Sequence, residues 1–145
     1  MPTFICNAVA GRLTPVQKTE IARSITNIYH EEFGSPRYFV EVIFHDVAPG
    51  NYYLVARPAP ADKISITGEI RSGRTDEQRS RMVQRIMQDV AMASGAAEDM
   101  VWVHLLESPF ADVLEYGRVL VPVGEENAWF SSLPETLQER LKPLA

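Results

Sequence analysis

Apolar residues recur at helical spacing in two windows of the chain. Ile21, Ile25, Ile28 and Tyr29 share one face of the first. Met82, Val83, Ile86 and Val90 share one face of the second. The windows open alike, 61 residues apart, at Thr14-Pro15-Val16-Gln17 and Thr75-Asp76-Glu77-Gln78. Each places an N-cap threonine three residues before a glutamine, the spacing of a capping box. Pro15 suits a first helical turn, and Asp76 and Glu77 suit the positive end of a helix dipole. Each window closes 20 residues later on a glycine, Gly34 or Gly95, where a left-handed C-cap is expected.

Runs rich in β-branched and aromatic residues bracket both windows. Thr3–Ala8 and Tyr38–His45 flank the first helix, and Ile64–Ile70 and Met100–Leu106 flank the second. A short strand over Asn51–Val55 separates the two units. The pattern predicts two tandem β-α-β units, with both helices on one face of a four-stranded sheet. The expected class is therefore α/β, a two-layer sandwich in a single domain over residues 1–145. Its pseudo-repeat halves span about 2–55 and 62–106, and 107–145 form a C-terminal extension outside the repeat. Within the extension, Pro109–Tyr116 reads as a loop and Arg118–Val121 as a strand. Glu125–Leu144 reads as a helical tail carrying Trp129, Phe130, Leu133, Leu137 and Leu141. Those apolar residues fit two placements, against the chain's own core or against a neighbouring subunit.

Composition narrows the class. A chain of 145 residues, 46% hydrophobic, is long enough to bury a sizeable core. One cysteine, Cys6, forms no internal disulfide and reads as a small core hydrophobe. No apolar run approaches the ~18 residues of a transmembrane helix, and Met1–Gly11 lacks the basic lead of a signal peptide. A cytoplasmic protein with no membrane partner is expected. The net charge of −5 argues against a nucleic-acid partner. His30 and His45 show no metal-ligand spacing, so no metal is expected.

Three places could carry chemistry. Pro2 becomes a secondary amine if Met1 is removed, and burial would bring its pKa toward neutrality, where one group serves as base and acid. The position equivalent to Pro2 in the second half is Lys63, inside the chain, so only one end of the sheet can hold a free imine nitrogen. Arg71-Ser72-Gly73-Arg74-Thr75 joins a strand to a helix. Its two arginines do nothing for that helix's dipole, yet could clamp a carboxylate. The plainer reading is a solvated loop, or pairing with Glu69 or Asp76. As an exposed residue, Arg71 should be replaceable by alanine with the fold intact. Glu115, in Glu115-Tyr116-Gly117-Arg118, could activate water, although a surface turn acid is the commoner reading. His104 alternates with Trp102 and Leu106 on one strand face, and Tyr29 lies on the inward stripe of the first helix. Packing is the default role of both.

Taken together, these residues resemble the tautomerase superfamily, and within it the cis-3-chloroacrylic acid dehalogenase-like branch. The resemblance runs over nearly the whole chain, including Ile43-Phe44 and Trp129-Phe130-Ser131-Ser132-Leu133-Pro134-Glu135. It implies a tautomerase-like fold, a homotrimer with sites near subunit contacts, and no cofactor. The catalytic proline of the family matches Pro2, its carboxylate-binding arginines match Arg71 and Arg74, and its water-activating glutamate matches Glu115. Two positions depart. The family has a histidine where this chain has Tyr29, and a tyrosine where this chain has His104. Both types donate hydrogen bonds, but their pKa values differ by several units. The swap bears hardest on water activation. The implied activity is enol–keto tautomerisation of 2-oxo acids of the phenylenolpyruvate type, with low-level hydration or dehalogenation of 3-haloacrylates. There Glu115, helped by Tyr29 or His104, would activate the water. The alternatives are a dedicated cis-3-haloacrylate dehalogenase or hydratase, and a non-catalytic trimer that binds a small carboxylate.

Overall fold

A computed structural model describes residues 2–145. In chain order its elements are β1 (Pro2–Val9), α1 (Pro15–Phe33), β2 (Glu41–Val47), β3 (Tyr53–Leu54), β4 (Arg57–Pro58), β5 (Ile64–Arg71), α2 (Asp76–Ser94), β6 (Val101–Ser108), β7 (Leu114–Glu115), β8 (Arg118–Val119), α3 (Glu126–Ser131) and α4 (Glu135–Leu141). The main sheet has the order β2-β1-β5-β6. Strands pair parallel within each half, β1 with β2 and β5 with β6. The halves meet antiparallel at the centre, where Pro2 faces Ile70 and Ala8 faces Ile64.

Burial alternates along β1 and β5, so one face of the sheet is covered by α1 and α2. Phe4, Cys6 and Ala8 point into that layer with Ile64, Ile66 and Ile70. Opposite Phe4 stands Gly68, where an added Cβ would run into the Phe4 ring. The other face holds Thr3, Ile5 and Asn7 with Trp102, His104 and Leu106, and no described element covers it. Among the described residues, no helix is long and apolar enough to cross a membrane.

Both helices carry the expected caps. Thr14 and Gln17 close one capping box at 3.0 and 3.2 Å, and Thr75 and Gln78 close the other at 3.1 and 3.2 Å. Gly34 and Gly95 end the helices at φ 66° and 71°. The antiparallel helices also cap one another. Arg12, before α1, donates to the Ser94 carbonyl at the end of α2, and Arg74, before α2, donates to the Phe33 carbonyl at the end of α1. Each arginine sits at the unfavourable end of its own helix and reaches the negative end of the other.

Three expectations need correcting. Tyr38 and Phe39 stand in a 3-10 turn, Arg37–Phe39, and β2 begins only at Glu41. Their aromatic character serves packing against the tail, not strand pairing. The short strand expected at Asn51–Val55 is a hairpin, β3–β4. The repeat also does not end at residue 106. The hairpin β7–β8 matches β3–β4 at the same offset of 61, as does the pair of left-handed residues in each turn, Val55–Ala56 and Tyr116–Gly117. Positive φ at both central residues gives the twist that a two-residue hairpin needs.

The helical tail breaks at Pro134 into α3 and α4. Leu120, Trp129, Leu133 and Leu141 bury themselves with Phe39 in a second apolar cluster. Of the two placements open in the sequence, the tail takes the one against its own chain. Trp129 anchors it, with its ring 5.1 Å from Phe39 and its indole N–H donating to the Val119 carbonyl at 2.9 Å.

Candidate active site

The antiparallel junction of β1 and β5 sets the site. Pairing Pro2 with Ile70 places the first residue of β1 beside the end of β5, where Arg71 follows and Arg74 lies three residues on. Pro2 itself is buried and continues the inward-facing row of Phe4, Cys6 and Ala8.

Neither arginine lies in a solvated loop. Arg71 is 5% exposed and Arg74 7%. The acids nearest in sequence are engaged elsewhere: Glu69 accepts from Ser108, and Asp76 pairs with Arg79. Arg71 instead ion-pairs with Glu126 and donates to the Val121 carbonyl at 2.6 Å. The Glu126 carboxyl is held low. Burial pushes it up, and the hydrogen bond and charge of Arg71, with the backbone N–H groups, outweigh that push. The expectation that Arg71 is exposed is therefore overturned, and with it the ground for expecting its replacement to leave the fold untouched. A buried ion pair broken on one side leaves an uncompensated charge.

Arg74 is held differently. Its Nη atoms donate to the Phe33 carbonyl at 3.2 Å and to Ser35 Oγ at 3.0 Å, and its guanidinium lies 4.6 Å from the Phe33 ring centre. Among the described residues no carboxylate pairs with it. Its Nε–H is buried without an acceptor. A buried donor left unpaired is uncommon, and the cost of leaving it so is ~1–3 kcal/mol.

Tyr29 joins the two arginines. It is 1% exposed and packs edge-on against Phe33 at 4.9 Å and Phe4 at 6.3 Å. Burial pushes its phenol up, against the nearby charges of Arg74 and Arg71. At neutral pH it stays a phenol, able to orient a ligand by hydrogen bonding. Tyr29, Ser35, Phe39, Arg71 and Leu120 line a narrow cavity with room for about one water.

Phe39 also lines a second, open cavity of about 420 Å³, together with Thr3, Tyr38, Val40, Glu41, Glu115 and Tyr116. Glu115 thus stands on the far side of Phe39 from the arginines, beside Thr3, the neighbour of Pro2. Tyr116 donates to the Tyr38 carbonyl at 2.7 Å, and its left-handed backbone turns the motif Glu115-Tyr116-Gly117-Arg118 toward β1. Burial pushes the Tyr38 phenol up to about 12, with the charges on Tyr116 and Glu126 adding to it.

The structure gathers Pro2, Tyr29, Arg71 and Arg74 at one end of the sheet, with Glu115 next to them. It does not bring His104 there. That residue pairs with Thr67, three strand positions from the level of Pro2, and faces the uncovered side of the sheet. At ~3.3 Å per residue this is about 10 Å along the strand, on the opposite face from Tyr29. Within one chain, Tyr29 and His104 are not a pair. Sequence reasoning missed Ser35, Phe39, Leu120 and Glu126. The repeat held a clue to the first, because Gly34-Ser35 ends α1 where α2 begins alongside. No local signal marks Glu126, whose partner lies 55 positions earlier.

Comparison with known proteins identifies the family. Residues 1–131 match the Tautomerase_3 family model, described as "Putative oxalocrotonate tautomerase enzyme". A crystal structure of N1, a member of the cis-3-chloroacrylic acid dehalogenase family, is 34% identical. It covers 98% of this chain and 99% of its own, with a TM-score of 0.95. The chain belongs to the tautomerase superfamily, in its cis-3-chloroacrylic acid dehalogenase-like branch. More distant structures share the fold alone. One is Pt0534 inactivated by 2-oxo-3-pentynoate, 22% identical with a TM-score of 0.74, covering 81% of this chain and 94% of its own. Another is a fused 4-OT named Q0, a symmetric trimer, 20% identical with a TM-score of 0.73 and the same coverage. No curated protein matches. The α/β sandwich and the superfamily expected from the sequence are both borne out.

Proposed function

We propose that this tautomerase-superfamily chain catalyses enol–keto tautomerisation of 2-oxo acids of the phenylenolpyruvate type. The observation that carries the reading is the buried, unpartnered Nε–H of Arg74 beside Tyr29 and Arg71, at the end of the sheet where β1 begins. A substrate carboxylate supplies the acceptor that this donor lacks.

With Met1 removed, the Pro2 nitrogen is a secondary amine. In its neutral form it takes the proton from the enol hydroxyl, and the ammonium then gives a proton to the carbon that becomes sp3. Tyr29 orients the 2-oxo group as a neutral donor. The aromatic walls of the open cavity, Tyr38 and Tyr116, suit a phenyl substituent.

Glu115 in that cavity favours a second reaction at the same site. Glu115 activates a water, which adds to a 3-haloacrylate, while the Pro2 ammonium protonates the carbon next to the carboxylate. Halide then leaves the resulting halohydrin with a proton. Because the two reactions need opposite resting states of Pro2, its pKa sets their ratio. A low rate of the second is expected, since the histidine of the family is replaced by Tyr29.

The trimers among related folds suggest the same assembly here. Trp102 and Leu106, 46% and 56% exposed on the uncovered sheet face, suit a subunit contact. His104 lies between them, so it can join a site only across that contact. Sedimentation at three times the chain mass supports this assembly, and a monomer opposes it.

Ultraviolet assay of phenylenolpyruvate ketonisation tests the reading. Turnover by the Met-free protein, lost in Pro2→Ala, is the expected result. The acetylenic acid 2-oxo-3-pentynoate serves as a probe. Addition of the Pro2 amine across its triple bond has no leaving group, so the chain gains the full reagent mass. Native mass spectrometry showing Met1 retained makes the Pro2 nitrogen an amide and leaves carboxylate binding without catalysis. Halide release from cis-3-bromoacrylate faster than ketonisation by orders of magnitude reverses the order of the two activities.

A further inference from the structure

The narrow cavity next to Arg71 is too small for a carboxylate, because it has room for about one water. What limits it is the tail. Leu120 forms part of its wall. Arg71 donates to the Val121 carbonyl, while Glu126 ion-pairs with the same guanidinium and is itself held by the Gly124 N–H at 2.8 Å. Residues 120–126 thus form a strap over Arg71, and Val123 rests 3.5 Å from where a Cβ on Gly73 would stand. Arg74, nearly as buried as Arg71, has no carboxylate partner among the described residues.

We propose that Glu126 is an internal carboxylate occupying the Arg71 half of the anion site, and that a substrate carboxylate binds by exchange with it. The inference rests on the reading that Arg71 and Arg74 bind that carboxylate. Two carboxylates on one desolvated guanidinium repel each other, so the ligand and Glu126 compete for Arg71. The uncompensated charge of Arg74 attracts the ligand. The ligand takes Arg71 as Glu126 withdraws, and the Gly124 turn carries the strap outward. Gly124 stands at φ 96°, a backbone state that side-chain-bearing residues rarely adopt. Glu126 thereby acts as a specificity-determining residue. It sets the affinity for every carboxylate substrate by the cost of its own displacement, and it keeps Arg71 neutralised between turnovers.

The test is Glu126→Gln, which keeps the size of the side chain and removes its charge. Phenylpyruvate binding is measured by calorimetry, and KM and kcat are measured for phenylenolpyruvate. Exchange predicts that Glu126→Gln binds phenylpyruvate about tenfold tighter than the parent, with KM lowered in step. It also predicts that saturating phenylpyruvate raises the variant's Tm more than the parent's. Glu126→Asp is one methylene shorter and grips Arg71 less well, so it shows the same trend to a smaller degree and serves if the glutamine variant does not fold. Equal or weaker binding by the folded variants overturns the exchange and leaves Glu126 as a strut that positions Arg71. A parent protein that binds no phenylpyruvate overturns both the exchange and the reading beneath it. A parent that binds and turns over, with variants no tighter, removes the exchange alone.

Discussion

Arg71 and Arg74 stand three residues apart and have opposite fates. Both guanidinium groups are buried, but one is neutralised by a carboxylate while the other is held by neutral oxygens. The difference follows from direction. Arg74 leaves the loop toward the carbonyl end of α1, where partial negative charge already waits. Arg71 ends a strand and turns toward the tail, where a full charge was needed. Arg71→Ala is therefore a stability variant as well as a binding one. Leaving the half-buried Glu126 without its partner should cost somewhat less than the ~3–5 kcal/mol of a fully buried pair, read as a lowered urea midpoint with unchanged slope. A midpoint within error of the parent would show that solvent reaches the pair freely.

Lys63 makes a related point about a buried charge. It is 1% exposed, its ammonium stacks 3.5 Å from the Trp102 ring centre, and its Nζ donates to the Met100 carbonyl at 3.3 Å. Burial lowers its pKa to about 8. The unfolded chain holds this proton up to about pH 10.4. Between those values the unfolded state binds more protons, so the Lys63 contribution to stability rises with pH. Below pH 8 both states are protonated, and the burial cost is fully present. Lys63→Met should accordingly be more stable than the parent at pH 7, with the gap narrowing toward pH 10. A gap constant from pH 7 to pH 10 would mean that the ammonium is solvated.

At the scale of elements, the two hairpins show what repetition imposes and what it does not. Both turns demand two residues at positive φ. The second has Tyr116 and Gly117, and the first has Val55 and Ala56, at φ 50° and 56°. A β-branched residue is poorly suited to that region. Val55 is 86% exposed, so little packing compensates for the strain. Val55→Asn should stabilise the protein by about 1 kcal/mol, measured as a Tm increase of a few degrees. An unchanged Tm would mean that the turn relaxes without cost. Tyr116 bears the same strain with a reason, since its hydroxyl ties the turn to Tyr38 beside Glu115.

Helices and central strands were legible because their signals are local and doubled. A capping box, a helical stripe and a C-cap glycine occur twice at one offset, and each copy supports the other. The hairpins were hidden because neither turn has the Asn-Gly chemistry that announces one. Tyr38 and Phe39 misled because aromatic residues serve strands and clusters alike. Of the candidate site, the motif residues could be named from resemblance. Their partners could not, because Glu126 and Ser35 meet the arginines only through the packing of the tail and the antiparallel helices.

Over the whole molecule, the site lies where three parts of the chain close on one another. The first half brings Pro2 and Tyr29, the second brings Arg71, Arg74 and Glu115, and the tail brings Leu120 and Glu126. The net charge of −5 says little about such a place. Locally, two buried cations face one half-buried anion, so the place is positive although the chain is negative.

The dependence of Arg71 on Glu126 also bears on synthesis. The two residues are 55 positions apart, which at ~5–20 residues per second separates them by about 3–11 seconds on the ribosome. During that interval both helices and all four strands of the main sheet can already exist. The guanidinium then has no internal counter-ion, and Phe39 has no tail against it. The candidate site is thus at its most open in the nascent chain, and emergence of the segment from Leu120 to Glu126 shuts it.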